Sequence, residues 1–418
     1  MSSTLSLALL AALPALAAAA GGSVGDGFIR HAVTAKLPES SNDWISKRQN
    51  GVHLTDQRGG TLYTITLGIG TPAQDVSVII DTGSSELWVN PNCGNDDNTA
   101  FCETLPQFDT SSSSSLVDLG VQGQIGYGKG FVDFEYVADF VTVGSARIQQ
   151  QIFGVATDSS DIPAGIMGLA PALSSLDPDY PYILDSLKQQ GFINSRAFTL
   201  DLRSIDSPDD GSVIFGGIDT KKYIGALEKL PIIDLTETLG NRYWIGLDSV
   251  GVTLPDGTEQ TFFDGPGFPV FLDSGGTLSR LPTPLYNAIG SSFPGVQFDA
   301  GSGFYVVDCS LTEGDGSVDF GFGNKIIRVA YKDFIWHIPE SEFCVVGLLA
   351  DDESPVLGDS FLRAAYVVYD QDNYNLHLAQ ADNCGENLVA IGSGPDAVPS
   401  LTGDCTGPSE TGGPTETG

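Results

Sequence analysis

The chain's 418 residues predict a mostly β protein of two lobes, with only short helices. Three observations carry that expectation. Runs such as residues 61–67 (Thr-Leu-Tyr-Thr-Ile-Thr-Leu) and 131–137 (Phe-Val-Asp-Phe-Glu-Tyr-Val) alternate with period two, the spacing of a half-buried strand. The chain is punctuated by 51 glycines, as frequent turns between strands require. One phrase also occurs twice, as Ile79-Ile80-Asp81-Thr82-Gly83-Ser84-Ser85 and as Phe271-Leu272-Asp273-Ser274-Gly275-Gly276-Thr277. The length exceeds one typical domain, and 41% hydrophobic residues with 9% aromatics supply two sizeable cores.

From the N-terminus, residues 5–20 form an apolar, alanine-rich stretch followed by Gly21 and Gly22. This is the pattern of a signal peptide over residues 1–20 rather than of a buried helix, although its start lacks the usual lysine or arginine. Secretion through an oxidising compartment is therefore expected. Residues 21–48 read as a propeptide ending in Lys47-Arg48. Dibasic pairs are ordinarily solvated surface charge, but this one stands just before the first strand, where a cut leaves Gln49 as the new terminus. Arg30, His31 and Lys36 make the segment basic, so we expect it to lie across an acidic cleft until low pH neutralises the carboxylates.

The body divides into lobes at 49–235 and 236–392. Two helical patterns interrupt it, residues 182–190 ending at Gly191 and residues 284–289 ending at Gly290. Residues 393–418 turn to Ser, Thr, Pro, Gly and Glu, too polar to bury a core, and are expected to be disordered and open to O-glycosylation. No Asn-x-Ser/Thr sequon occurs. The chain as written ends without the hydrophobic tail of a lipid anchor, so a soluble product is expected.

The repeated phrase carries the chemistry. Each copy puts one carboxylate at the end of an apolar strand and before a glycine turn whose amides face the acid. Two such loops meeting face to face bring Asp81 and Asp273 too close for both to ionise cheaply. They would share one proton and offer an acid and a base together, equipment for hydrolysing an amide.

Further phrases extend the pattern: Glu86-Leu87-Trp88-Val89, Ile125-Gly126-Tyr127-Gly128-Lys129-Gly130, Ala164-Gly165-Ile166-Met167-Gly168-Leu169 and Val356-Leu357-Gly358-Asp359-Ser360-Phe361-Leu362. In this order, from about residue 60 to residue 381, they resemble the pepsin-like aspartic proteases. The resemblance implies a bilobal fold and a secreted aspartic endopeptidase acting as a monomer on peptide or protein substrates, with no cofactor and no metal. It implies that Asp81 and Asp273 activate a water, that Thr82, Gly83, Ser84, Ser274 and Gly275 support them, and that Thr82 and Ser274 brace the loops through their hydroxyls. Tyr127, with Gly128 and Lys129, would sit on a flap that closes over the substrate, and Trp88 would hold the tyrosine hydroxyl.

By the same resemblance a kexin-like protease cuts after Arg48, and Cys93 pairs with Cys102 and Cys309 with Cys344. That leaves Cys384 and Cys405 to tie down the tail, although six cysteines formally allow fifteen pairings. The Lys-Arg site, the Leu272-Asp273-Ser274-Gly275 phrase and residues 243–250 (Tyr-Trp-Ile-Gly-Leu-Asp-Ser-Val) look most like fungal enzymes of the candidapepsin and yapsin kind.

Three departures stand out. Ser84 can donate to the outer oxygen of Asp81, but Gly276, where many relatives have Thr or Ser, offers Asp273 nothing, unless Thr277 compensates. Lys129 stands where some fungal relatives carry an acid that accepts lysine before the scissile bond, so basic residues there should be disfavoured unless Lys129 points to solvent. Ala164 replaces a frequent aspartate. Gly276 and Ala164 motivate the alternative of a catalytically impaired pepsin-fold protein that binds peptides or inhibits another enzyme. A non-enzymatic wall protein is suggested only by the tail, and it leaves the paired loops unexplained. The net charge of −34 opposes binding to nucleic acid or anionic membranes and suits an acidic milieu. No Cys-x-x-Cys occurs and the four histidines are scattered, which argues against a metal site.

Overall fold

A computed structural model of the chain describes residues 27–36, 62–96, 99–172, 180–205, 207, 211–338 and 343–406. The expected signal peptide, the Lys47-Arg48 pair, Gln49 and residues 407–418 lie outside the described residues. Strands dominate, and the longest helix among the described residues, Thr283–Ser292, has 10 residues.

The first lobe is built from β2 (Leu62–Ile69), β3 (Gln74–Asp81), β4 (Leu87–Val89), β5 (Val117–Gly126), β6 (Phe131–Val143), β7 (Ala146–Ser160) and β8 (Gly165–Gly168), where β1 is Ile29–Lys36 upstream. These belong to a 14-stranded sheet whose far half holds β9 (Ala197–Asp201), β10 (Gly211–Phe215) and strands from the end of the chain, Ala365–Asp370, Asn375–Ala381 and Thr402–Asp404. The sheet thus crosses the expected lobe boundary: Tyr369 pairs with Phe198 in register and stacks on its ring at 4.5 Å. The second lobe adds a 7-stranded and a 4-stranded sheet.

β1 lies within the segment expected to be a propeptide, yet it sits mid-sheet, antiparallel to β10 on one side and β2 on the other. Ile29 and Val33, both buried, point into the core, and that period-two burial makes the segment a strand. Arg30 and His31 are not spread over an acidic cleft as expected. Arg30 pairs with Glu386 and the His31 ring is bonded to the carbonyl of Thr66.

Two further expectations change. The helix Ile183–Gln189 stops as read, with Gly191 at a positive φ of 77°. The helix Thr283–Ser292, however, runs through Gly290, because that glycine is a packing site rather than a cap. A Cβ there would stand 2.1 Å from Tyr305 Cδ2. The tail is also ordered further than its composition suggests. Residues 402–404 pair with Gly225 and Ala226, Ala397 and Val398 are buried, and Cys405 is bridged to Cys384. A covalent tie and two apolar anchors offset the chain entropy that the polar residues cannot. The other bridges are Cys93–Cys102 and Cys309–Cys344.

Candidate active site

Each candidate catalytic aspartate stands at the end of a buried strand. β3 runs through Val78 and Ile80, both fully buried, to Asp81, and pairs in parallel with β8, so that Asp81 lies opposite Gly168. In the second lobe, strand Glu259–Leu272 pairs in parallel with Val356–Leu357, and the amide of Asp273 donates to the carbonyl of Leu357 at 3.0 Å. The two Gly-containing segments singled out in the sequence thus thread behind the loops. The amide of Leu169 donates to the carbonyl of Asp81 at 2.8 Å and that of Asp359 to the carbonyl of Gly276 at 2.7 Å.

The loops are bolted together through two hydroxyls. Thr82 Oγ1 donates to the carbonyl of Leu272 at 2.9 Å and Ser274 Oγ donates to that of Ile80 at 2.8 Å. Each hydroxyl also accepts from the amide of the other residue, at 3.0 Å for Ser274 N and 3.2 Å for Thr82 N. Serine therefore fills this position as well as threonine does.

Glycine at the turn is a steric requirement. A Cβ on Gly83 would sit 2.6 Å from Asp273 Oδ1, and one on Gly275 would sit 2.7 Å from Asp81 Oδ1. Each turn lies against the opposite carboxylate, which brings Asp81 and Asp273 face to face.

The donors are unequal. Asp81 accepts from the amide of Gly83 at 2.7 Å and from the hydroxyl of Ser84. Asp273 accepts from the amide of Gly275 at 2.9 Å. A Cβ on Gly276 would stand 3.8 Å from Asp273 Oδ2, so there is room for the side chain that this chain lacks. Thr277 is buried, and its carbonyl accepts from the amide of Ser360. Burial first, then the charge of Asp81 and a hydrogen bond with it, push the Asp273 carboxyl up to about 7, against the amide of Gly275 and the charge of Arg242. A buried carboxyl beside another carboxylate keeps its proton because ionisation would put two like charges in a poorly solvated place.

The hairpin of β5 and β6 carries the candidate flap residues, closed by a bond from the amide of Tyr127 to the carbonyl of Gly130 at 3.1 Å. Trp88 Nε1 donates to the Tyr127 hydroxyl at 2.8 Å, and that hydroxyl is also bonded to Ser84. Burial and the charge of Asp81 hold the phenol protonated. A chain of donors thus runs from Trp88 through Tyr127 and Ser84 to Asp81. Gly128 is exposed and Lys129 half-buried at the tip.

Several groups near the dyad were not singled out from the sequence. Glu86 is buried and accepts from the hydroxyls of Tyr136 and Tyr180. Asp359 is buried and pushed well up by that burial, with Arg363 opposing and the charge of Asp273 adding to it. Arg363 crosses the lobes to donate to the hydroxyl of Tyr63 at 2.9 Å. Asp359 was visible as the acid after the second threading glycine, but only the fold shows that it lies near the dyad. Cys309, His337 and Cys344 gather their ligand atoms within 4.8 Å, but the disulfide occupies both sulfurs.

The model of the eukaryotic aspartyl protease family matches residues 62–381, a span that holds both Asp-containing loops, the Tyr127 hairpin and both threading segments. The chain belongs to the eukaryotic aspartyl proteases. Among the relatives of this aspartyl protease is the probable aspartic-type endopeptidase opsB of Aspergillus oryzae, 31% identical over 85% of the chain and 76% of the relative. Aspartic proteinase yapsin-3 of Saccharomyces cerevisiae is 31% identical over 90% of the chain and 78% of its own length. The acid protease of Saccharomycopsis fibuligera is 32% identical over 84% and 89% respectively. These relatives set the aspartyl protease in the fungal, yapsin-like branch of the pepsin-like enzymes.

Proposed function

We propose that this aspartic protease is a secreted endopeptidase that cuts peptide bonds with a water held between Asp81 and Asp273, at acid to mildly acid pH. The observation that carries the proposal is the packing of each loop's glycine on the opposite carboxylate, which supports a shared proton. Asp273 carries that proton, because it has the weaker set of donors, although the pair titrates as a unit. Asp81 then draws a proton from the water while Asp273 protonates the scissile carbonyl, with no covalent intermediate. Tyr127 covers the substrate and excludes solvent. A kexin-like cut after Arg48 matures the chain.

Incubation with an unfolded protein between about pH 3 and 6, bracketing ordinary carboxylate pKa values, should yield fragments. A statine-type inhibitor should block them. A folded protein that binds the inhibitor but cuts nothing would favour the impaired, peptide-binding alternative. The same digest reads Lys129, which as a cation over the cleft disfavours lysine and arginine before the cut. Cuts dominated by those residues would overturn that role.

Gly276 sets the pH range. A hydroxyl donor there would stabilise the ionised form of Asp273, lower its pKa and move the alkaline limb of kcat/KM toward acid. A hydrogen bond to a charged group contributes about 1.5–3 kcal/mol, so Gly276→Thr should shift the limb by roughly one to two pH units. Superimposable pH profiles would show that the missing hydroxyl is irrelevant.

A further inference from the structure

Arg242 is a cation at the lobe junction that the mechanism does not use. Strand Trp244–Thr253 is antiparallel to Glu259–Leu272 with Trp244 opposite Phe271. Just before the strand the chain turns, the amide of Trp244 donating to the carbonyl of Arg242 at 2.9 Å, and the charge of Arg242 acts on Asp273, two residues beyond Phe271. The guanidinium lies 4.9 Å from the centre of the Phe271 ring. Among the described residues Arg242 forms no ion pair, in a chain that holds 53 acidic residues against 19 basic ones. It is half-buried, so it keeps a face toward solvent.

The segment that carries it is fixed to the catalytic frame. Asn241 Nδ2 donates to the carbonyl of Ala172 at 3.0 Å, and the Tyr243 hydroxyl donates to that of Leu169 at 2.6 Å. Gln371 donates to both the Tyr243 hydroxyl and the Leu169 carbonyl. Leu169 is the residue whose amide holds the Asp81 loop. Arg242 is thus tied to both aspartates, to Asp81 through Leu169 and to Asp273 through the Phe271 ring it lies over and the charge it exerts there. A guanidinium without an ion pair among the described residues and held this way recognises carboxylates through a planar pair of donors, and Asp273 itself keeps a proton rather than a full charge to offer it.

We propose that Arg242 is a substrate-recognition residue that binds a carboxylate of the peptide, from an aspartate or glutamate side chain or from the chain terminus, on the Asp273 side of the scissile bond. The proposal deepens the protease function above and rests on it. It also gives a strongly acidic enzyme a local attraction for acidic segments that its net charge would otherwise repel.

The test is a set of internally quenched peptides in which Glu, Gln or Lys occupies each position in turn, with free or amidated C-termini, assayed on the whole secreted protein at a pH where Glu is ionised. The native enzyme should cut the Glu peptide about tenfold better than the Gln peptide at one position. Arg242→Lys should keep most of that ratio, Arg242→Gln should abolish it, and Arg242→Glu should turn it toward Lys. A loss confined to free C-termini would assign the terminal carboxylate, and a loss that persists after amidation the side chain. Equal Glu/Gln ratios in all four proteins would overturn the proposal, as would a uniform fall for every peptide, which is what a merely structural role gives. The same peptides are titrated by fluorescence anisotropy onto Asp81→Asn with and without Arg242→Gln. Absence of any cutting would sink the protease function, while the binding ratio would still decide on Arg242.

Discussion

Asp81→Asn and Asp273→Asn will each lower kcat/KM by up to ~10^4-fold, the scale that positioned acid–base catalysis contributes. Asparagine matches the shape of aspartate and retains an oxygen for the amides of Gly83 and Gly275, so the loops keep their geometry. The variants lose only the ability to pass a proton. Asp273→Asn also removes a like charge facing Asp81, so its melting temperature near neutral pH should equal or exceed that of the native enzyme. Steady-state kinetics on a quenched peptide and thermal melts at two pH values report both effects. Native turnover in either variant would show that the two carboxyls do not act as a dyad.

Gly83→Ala should be nearly as damaging, for a steric reason. Its Cβ would fall 2.6 Å from Asp273 Oδ1, within the space of the opposing carboxylate. That carboxylate cannot retreat, because Ser274 beside it is bonded to Ile80 and Thr82. The expected result is a fall of about 10^2-fold in kcat with the fold intact, since a displacement near 1 Å at a reacting group costs that much. Gly276→Ala is the control, because its Cβ would meet nothing closer than 3.7 Å and should leave kcat within a few-fold of native. Equal kinetics for the two alanine variants would mean that the close approach of the turns is not what holds the dyad.

The two variants mark what could be read from the sequence and what could not. The glycine after each aspartate was recognisable as a turn, but that it packs on the other lobe's carboxylate emerges only when residues 190 or more apart meet. Gly290 looked like a helix end and is instead the bed of Tyr305. A glycine read alone does not show whether it serves its own backbone angles or a neighbour's bulk.

What the sequence determined by itself is whatever depends on near neighbours along the chain. Strand periodicity, the apolar runs that deliver each aspartate, the hydroxyls beside them and the hairpin tyrosine between glycines are all local patterns, because alternation and turn chemistry act over a few residues. Tertiary structure alone decided that β1 joins the two halves of the central sheet, that Cys405 and the buried Ala397 and Val398 order the start of the tail, and that the charge of Arg242 is brought near Asp273. The physical reason is common to all three. Sheet pairing, disulfides and charge proximity depend on distances in space, and those distances exist only after the apolar strands have collapsed together.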